Sequence, residues 1–224
     1  MRLDGAIVNG ERLDEQANRE AQQEHELEVR EWQAIVELAR GVLAQNRAAY
    51  ERAIELVDPF EELRAFGTEV RIAGSGARPD SMVADLDVAE QDIVPSRVKS
   101  LTKTGKLSEK AMPKGRSLEI YQDYVCGACL RVARELLALL PIDYVLVTAN
   151  MQLLDTATGH DVATPILSVI VPRQIAARLN FERLDPSDSM ANFPHRMSFK
   201  KTKGFTPVER FDWEDIPAGM SESA

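Results

Sequence analysis

Three groups of residues in this sequence are of kinds that do chemistry. Asp85 and Asp87 stand two apart in MVADLDVAE (82–90), where apolar and polar residues alternate as on a β-strand. Residues two apart on a strand share a face, and two carboxylates so aligned can hold Mg²⁺ or Mn²⁺ for phosphoryl transfer. Cys126-Gly127-Ala128-Cys129 has the spacing of a dithiol couple, which works where a helix N-terminus lowers the pKa of the first thiol. The third group is PSRVKSLTKTGKLSEKAMPKGRS (95–117), which sets Arg97, Lys99, Lys103, Lys106, Lys110, Lys114 and Arg116 against a single acid. The serines and threonines between them supply hydroxyl donors for phosphate oxygens. The stretch therefore reads as a local site for nucleic acid or another polyanion.

Each of the first two groups has a second reading. Gly74-Ser75 stands nine residues ahead of Asp85-Leu86-Asp87-Val88, and together they resemble the GS…DxD pattern of the polymerase-β-type nucleotidyltransferases. The resemblance covers about fifteen residues. It implies a metal-dependent phosphoryl-transfer enzyme, nucleotidyltransferase-like or a nuclease, with a helix starting at the Gly-Ser. It also implies a third carboxylate on a later strand, for which Asp155 and Asp161 are the acids at hand. The residues taken alone describe a half-exposed antiparallel strand, with Leu86 and Val88 inward and the acids in water. CGAC, with Thr164-Pro165 ahead of a later strand segment, is similar to the CxxC and proline of the thioredoxin family. In that family the motif follows a central strand. Here Tyr121, Val125 and Cys129 recur at helical spacing, so both cysteines read as mid-helix core positions. His25, His160 and His195 are isolated, with no second ligand at metal spacing. No catalytic residue, metal or cofactor is expected from these motifs.

Charge confines any polyanion contact to a small part of the surface. The chain carries −9 overall, and outside residues 95–117 it has 20 basic and 35 acidic residues. Such a surface repels nucleic acid and anionic lipid. A second basic patch, Arg196 with Lys200, Lys201 and Lys203 in HRMSFKKTKGF, has Phe199 and Phe205 beside it as stacking surfaces. If the two patches converge, they form one phosphate-reading site beside the N-terminus of the helix expected from residue 117. No apolar run is long enough to span a bilayer, the N-terminus lacks the apolar core of a signal peptide, and two cysteines make no disulfide framework. The expectation is a cytoplasmic protein without membrane contact.

The elements that must position these residues follow from the periodicities. Residues 11–58 contain no proline and one glycine, and are rich in Ala, Glu, Gln, Leu and Arg, strong helix formers. From Val29 the apolar spacing becomes a coiled-coil seam through Trp32, Val36, Ala39, Leu43, Asn46, Tyr50, Ala53 and Val57, with Asn46 as a buried polar residue that fixes register. Asp58-Pro59 stops the helix. Two β-hairpins, 69–90 and 143–172, flank a helix over 117–141, and a short helix follows at 173–184. The fold class is thus α+β: a long N-terminal amphipathic or coiled-coil helix, then a ββ-α-ββ-α antiparallel-sheet domain. The divisions are a helical arm over 1–58, a globular domain over 59–215 and an acidic tail over 216–224 expected to fray. The function expected is that of a non-enzymatic accessory protein. It would form a homodimer, or dock on a helical partner, through Val29–Val57 and bind nucleic acid through the basic residues. The alternatives are the Asp85/Asp87 enzyme and a pure protein–protein scaffold.

Overall fold

The computed structural model describes residues 3–73, 80–101 and 103–215. The Gly74-Ser75 motif, Pro79 and the 216–224 tail lie outside the described residues. The chain forms two compact units, one ending at Ala53 and the other starting at Ile54.

The first unit is built on α1 (Leu3–Leu43), which begins earlier than the propensities from residue 11 foretell. The single helix expected through residue 57 is broken between Leu43 and Arg47, and α2 (Arg47–Val57) starts anew. The break is a helix C-cap. Gln45 takes a left-handed φ of 56°, and the N–H groups of Gln45 and Asn46 return to the carbonyls of Val42 (2.9 Å) and Gly41 (3.0 Å). That pairing satisfies carbonyls the helix end would leave open. Asn46 is exposed and caps α2, its Oδ1 accepting the Ala49 N–H at 3.3 Å. The residue expected to be buried in a helical seam is thus the hinge between two helices, because Asn favours a cap over a helix interior. Gly41 lets the two helices approach: a Cβ there would lie 2.8 Å from that of Ala49. Further on, α2 stops at Val57, where the following proline disfavours continuation of the helix at Asp58, and Asp58 takes a left-handed φ of 44°.

The second unit is a mixed sheet. After the short α3 (Glu61–Ala65) come β1 (Glu69–Ala73) and β2 (Ser81–Asp87), an antiparallel hairpin. β3 (Arg97–Leu101) and β4 (Leu107–Ala111) form a separate two-stranded ribbon, where no regular element was expected. The helix α4 (Lys114–Leu139) follows, then β5 (Tyr144–Asp155) and β6 (His160–Pro172). The short helices α5 (Arg173–Ala176) and α6 (Pro186–Ser189) lead to β7 (His195–Met197) and to a small hairpin of β8 (Phe199–Lys200) and β9 (Gly204–Phe205). The main sheet has the order β1-β2-β5-β6-β7.

Its centre departs from the all-antiparallel layer. β2 and β5 run parallel, which demands a crossover, and α4 provides it. Tyr144 to Asn150 of β5 are buried without interruption, as befits a strand covered on both faces, whereas its distal half alternates like a half-exposed strand. One face carries α4, with Tyr121, Val125, Cys129, Val132 and Leu136 buried along it. The other face is crossed by residues 206–211, whose Phe211 packs against Val83, Tyr144, Leu146 and Ile170.

The hinge gives a direct test of why the arm bends. Asn46→Ala removes the cap and should lower helix stability by about 1 kcal/mol. Gln45→Gly relieves the left-handed strain and should raise it by roughly 1 kcal/mol. Thermal melting followed by circular dichroism reads both; a gain from Asn46→Leu would instead place Asn46 in a buried seam.

Candidate functional site

The β3–β4 ribbon carries most of the basic stretch. Alternation places Arg97, Lys99 and Leu101 on one face, opposite Ala111, Glu109 and Leu107; Val98 and Lys110 pair on the other. Every residue of β3 is exposed. Glu109 is taken by Arg97, whose Nε lies 2.9 Å from its Oε1. Lys99, Lys103 and Lys110 have no acidic partner among the described residues, and Lys106 lies in the turn. The lysine spacing that could have made a helical stripe is thus folded into a ribbon, because Thr and Val favour strands and Gly105, at a φ of 76°, makes the turn.

From the ribbon the chain passes through Met112 and Pro113 into α4, which starts at Lys114, before the expected Ser117. The first turn of α4 holds Lys114 and Arg116, has no acid and is capped by no side chain. Its first N–H groups and the positive end of its dipole lie at the same turn as these cations. The second basic patch meets it there. A Cβ at Gly115 would lie 3.5 Å from the Lys201 carbonyl oxygen, so the start of α4 rests against the β8–β9 turn. Glu119 pins the two segments, receiving Lys201 at 2.5 Å and Arg116 at 3.5 Å. Its hydrogen bond from Lys201, and then the charge of that lysine, hold its carboxyl below the usual carboxylate range. Lys114, Lys200 and Lys203 remain exposed, with no acidic partner among the described residues.

Other residues of the expected site lie elsewhere. Arg196 is on β7 with its guanidinium on the sheet face opposite α4. It donates to the Arg210 carbonyl at 2.8 Å, reaches Asp215 at 3.4 Å and stacks 4.2 Å over the Phe211 ring. Its neighbour Met197 points the other way, to Cys126 and Gln122. Phe205 is buried against Tyr121, and Phe199 packs edge-on to it at 5.2 Å, so Phe205 offers no free stacking surface.

Asp85 and Asp87 do share a face, where both are half-buried and held by arginines. A polar row that no sequence pattern announced runs across all five strands: Arg71, Asp85, Thr148, Ser168 and Arg196 are register partners in turn. Thr148 and Ser168 are fully buried and share a hydrogen bond of 3.1 Å, and Ser168 Oγ also accepts the Phe211 N–H at 3.0 Å. Arg210 reaches Asp85 at 3.1 Å, and Arg71 grips Asp87 with both terminal nitrogens, one of them at 3.0 Å. Each carboxylate is therefore neutralised by its own arginine. Asp155 lies five residues beyond the register partner of Asp87, about 16 Å along β5 at ~3.3 Å per residue, and accepts hydrogen bonds from its own turn. Asp161 pairs at the same distal end. Among the described residues no group of three or more His, Cys, Asp or Glu is placed to hold a metal ion.

Cys126 and Cys129 are free thiols with no exposed surface, in the middle of α4. Burial pushes Cys126 up to about 12 and Cys129 well above the ordinary thiol value. Among the described residues no helix is long and apolar enough to cross a membrane. No protein-family model matches the chain, and neither a curated protein nor a solved structure matches it.

The cysteine environment predicts reactivity directly. In native protein at neutral pH neither thiol should react with a disulfide reagent on the timescale on which a free cysteine does, and both should react once the chain is denatured. Rapid modification of one native thiol would require an exposed, acidic cysteine and would revive the dithiol reading.

Proposed function

We propose that this chain is an accessory protein that binds nucleic acid through the β3–β4 ribbon, the first turn of α4 and the β8–β9 turn, and self-associates through its N-terminal helix. The observation that carries the reading is the meeting of two lysine clusters, distant in sequence, at an uncapped helix N-terminus. Cations in the first turn of a helix are disfavoured by its dipole, by roughly 0.3–1 kcal/mol each. A phosphate at that point relieves both the cations and the unpaired N–H groups. The acidic remainder of the surface then limits binding to this place and keeps it weak elsewhere.

Shape supports nucleic acid as the polyanion. A two-stranded ribbon is of a size that the major groove of duplex DNA admits. The exposed Leu101–Leu107 pair, on the same ribbon face as Lys99, adds an apolar contact for base edges or thymine methyl groups. A heparin chain or an anionic vesicle offers the charge without that groove.

Binding of a short duplex to the full chain, measured across a salt series, tests this reading. Each lysine engaged should contribute about −0.9 to the slope of log affinity against log salt. Lys103→Glu with Lys110→Glu should weaken binding and flatten the slope, with the same loss on unrelated base sequences. Lys200→Glu with Lys203→Glu should do likewise if the two segments act as one surface. Glu119→Gln removes an acid from the middle of the surface and should tighten binding while steepening the slope. Charge-reversed chains that bind as the parent does, with the parent's salt dependence, would overturn the proposal.

A further inference from the structure

The helix α1 has two faces with different fates. Ala34, Glu37, Leu38 and Gly41, spaced by three and four, line one cleft together with Asn46, Ala48, Ala49 and Arg52. The start of α2 therefore covers that face. Val29, Trp32, Val36, Ala39 and Leu43, also spaced by three and four, fall on the opposite side of the helix at 3.6 residues per turn. Among the described residues of the first unit that side is left open: Trp32 is 63% and Leu43 75% exposed, and Ile35 on its flank is 56% exposed. A helix so exposed is marginal by itself, because most helical stability in proteins comes from packing an amphipathic face.

We infer that this seam is covered by the same seam of a second copy of the chain, running antiparallel. The inference deepens the self-association half of the proposed function and rests on it; it is independent of nucleic-acid binding. The flanking charges decide the direction. In an antiparallel pair, Val36 of each helix meets the second copy's Trp32, and Val29 meets the second copy's Ala39. That register sets Glu26 beside the second copy's Arg40, twice by symmetry, and brings the two Ile35 side chains together at the centre. Both residues are free to do this. Among the described residues Arg40 has only an exposed contact with Glu37 at 3.6 Å, and Glu26 takes part only in exposed hydrogen bonds with Gln22 and, through its carbonyl, Arg30. A parallel pair loses the complementarity, because it sets Glu28 against Gln33 and Ile35 against Arg40. It also lays the acid-rich half, with Glu20, Glu24, Glu26, Glu28 and Glu31, alongside its own copy. The seam spans only Val29 to Leu43, since the hinge at Gln45 and Asn46 turns α2 away from it. The interface is accordingly small, and the dimer should dissociate on dilution.

Sedimentation equilibrium of the full chain over a range of concentrations, without nucleic acid, is the test. A monomer–dimer equilibrium is expected, and Trp32→Glu should weaken it about tenfold or more, with folding of the second unit unchanged since Trp32 is exposed. Arg40→Glu should weaken it about fivefold by opposing Glu26, and adding Glu26→Arg should restore it. Direction is read by oxidative crosslinking. Ile35→Cys should link to itself and Ala39→Cys should not, the native cysteines being buried. A dimer that withstands Trp32→Glu overturns this seam, and one that crosslinks through Ala39→Cys overturns its direction; either leaves self-association standing. A chain that is monomeric at every concentration overturns both, and leaves nucleic-acid binding to its own test.

Discussion

The parallel pairing of β2 with β5 is the constraint on which the placement of the basic surface depends. Ser81 lies opposite Tyr144 and Asp87 opposite Asn150, so the chain leaving β2 must return the length of the strand before β5 can begin. That distance is about 23 Å for seven residues. The 26 residues of α4 span about 39 Å, more than the crossover needs. The excess lies at the N-terminal end. Tyr121 already hydrogen-bonds the Ala89 carbonyl, past the end of β2, so the first turns of α4 extend beyond that strand. There they meet the β8–β9 turn, with Leu118 against Gly204 and Gly115 against Lys201. The β3–β4 ribbon is inserted into the same crossover, directly before the helix. One topological requirement therefore brings lysines from two distant parts of the chain to one helix end.

The second face of the sheet keeps opposite charges together and out of that surface. Arg71 with Asp87 and Arg210 with Asp85 neutralise the two carboxylates. Arg196, stacked on Phe211 and bonded to the Arg210 carbonyl, fastens the segment that crosses the face. The buried Thr148 and Ser168 hydroxyls complete the row by bonding each other and the Phe211 amide, so no buried hydroxyl in it lacks a partner. This face is a structural clamp built from polar groups. The unpaired lysines stand on the other elements.

Much of this was legible in the sequence where one local signal dominates. The helical periodicity through Leu118, Tyr121, Val125, Cys129 and Val132 located α4 and placed both cysteines in the core. Pro59 and Pro141 marked the ends of α2 and α4. What was not legible depends on partners remote in sequence. The alternation of Met82 to Asp87 is the same for a parallel and an antiparallel neighbour, so the crossover was hidden. Asp85 and Asp87 alternate like water-facing acids, yet Arg210 and Arg71 come from elsewhere to meet them. Asn46 fits the seam spacing, but nothing in a heptad count registers a left-handed Gln45. The basic stretch read as a loop because its lysines mask two short strands, and the pairing of Arg97–Leu101 with Leu107–Ala111 is what reveals the ribbon.

Hydrogen–deuterium exchange of the full chain, with and without a short DNA duplex, reads the central claim most directly. A two-stranded ribbon standing alone is marginally stable and exchanges quickly, so protection by a ligand is easy to see there. The account predicts new protection over Arg97–Leu101 and Leu107–Ala111, in the first turn of α4 and across the β8–β9 turn, all appearing together. Protection confined to the Asp85–Asp87 strand and the segment that crosses it, or no protection at any duplex concentration in low salt, would contradict it.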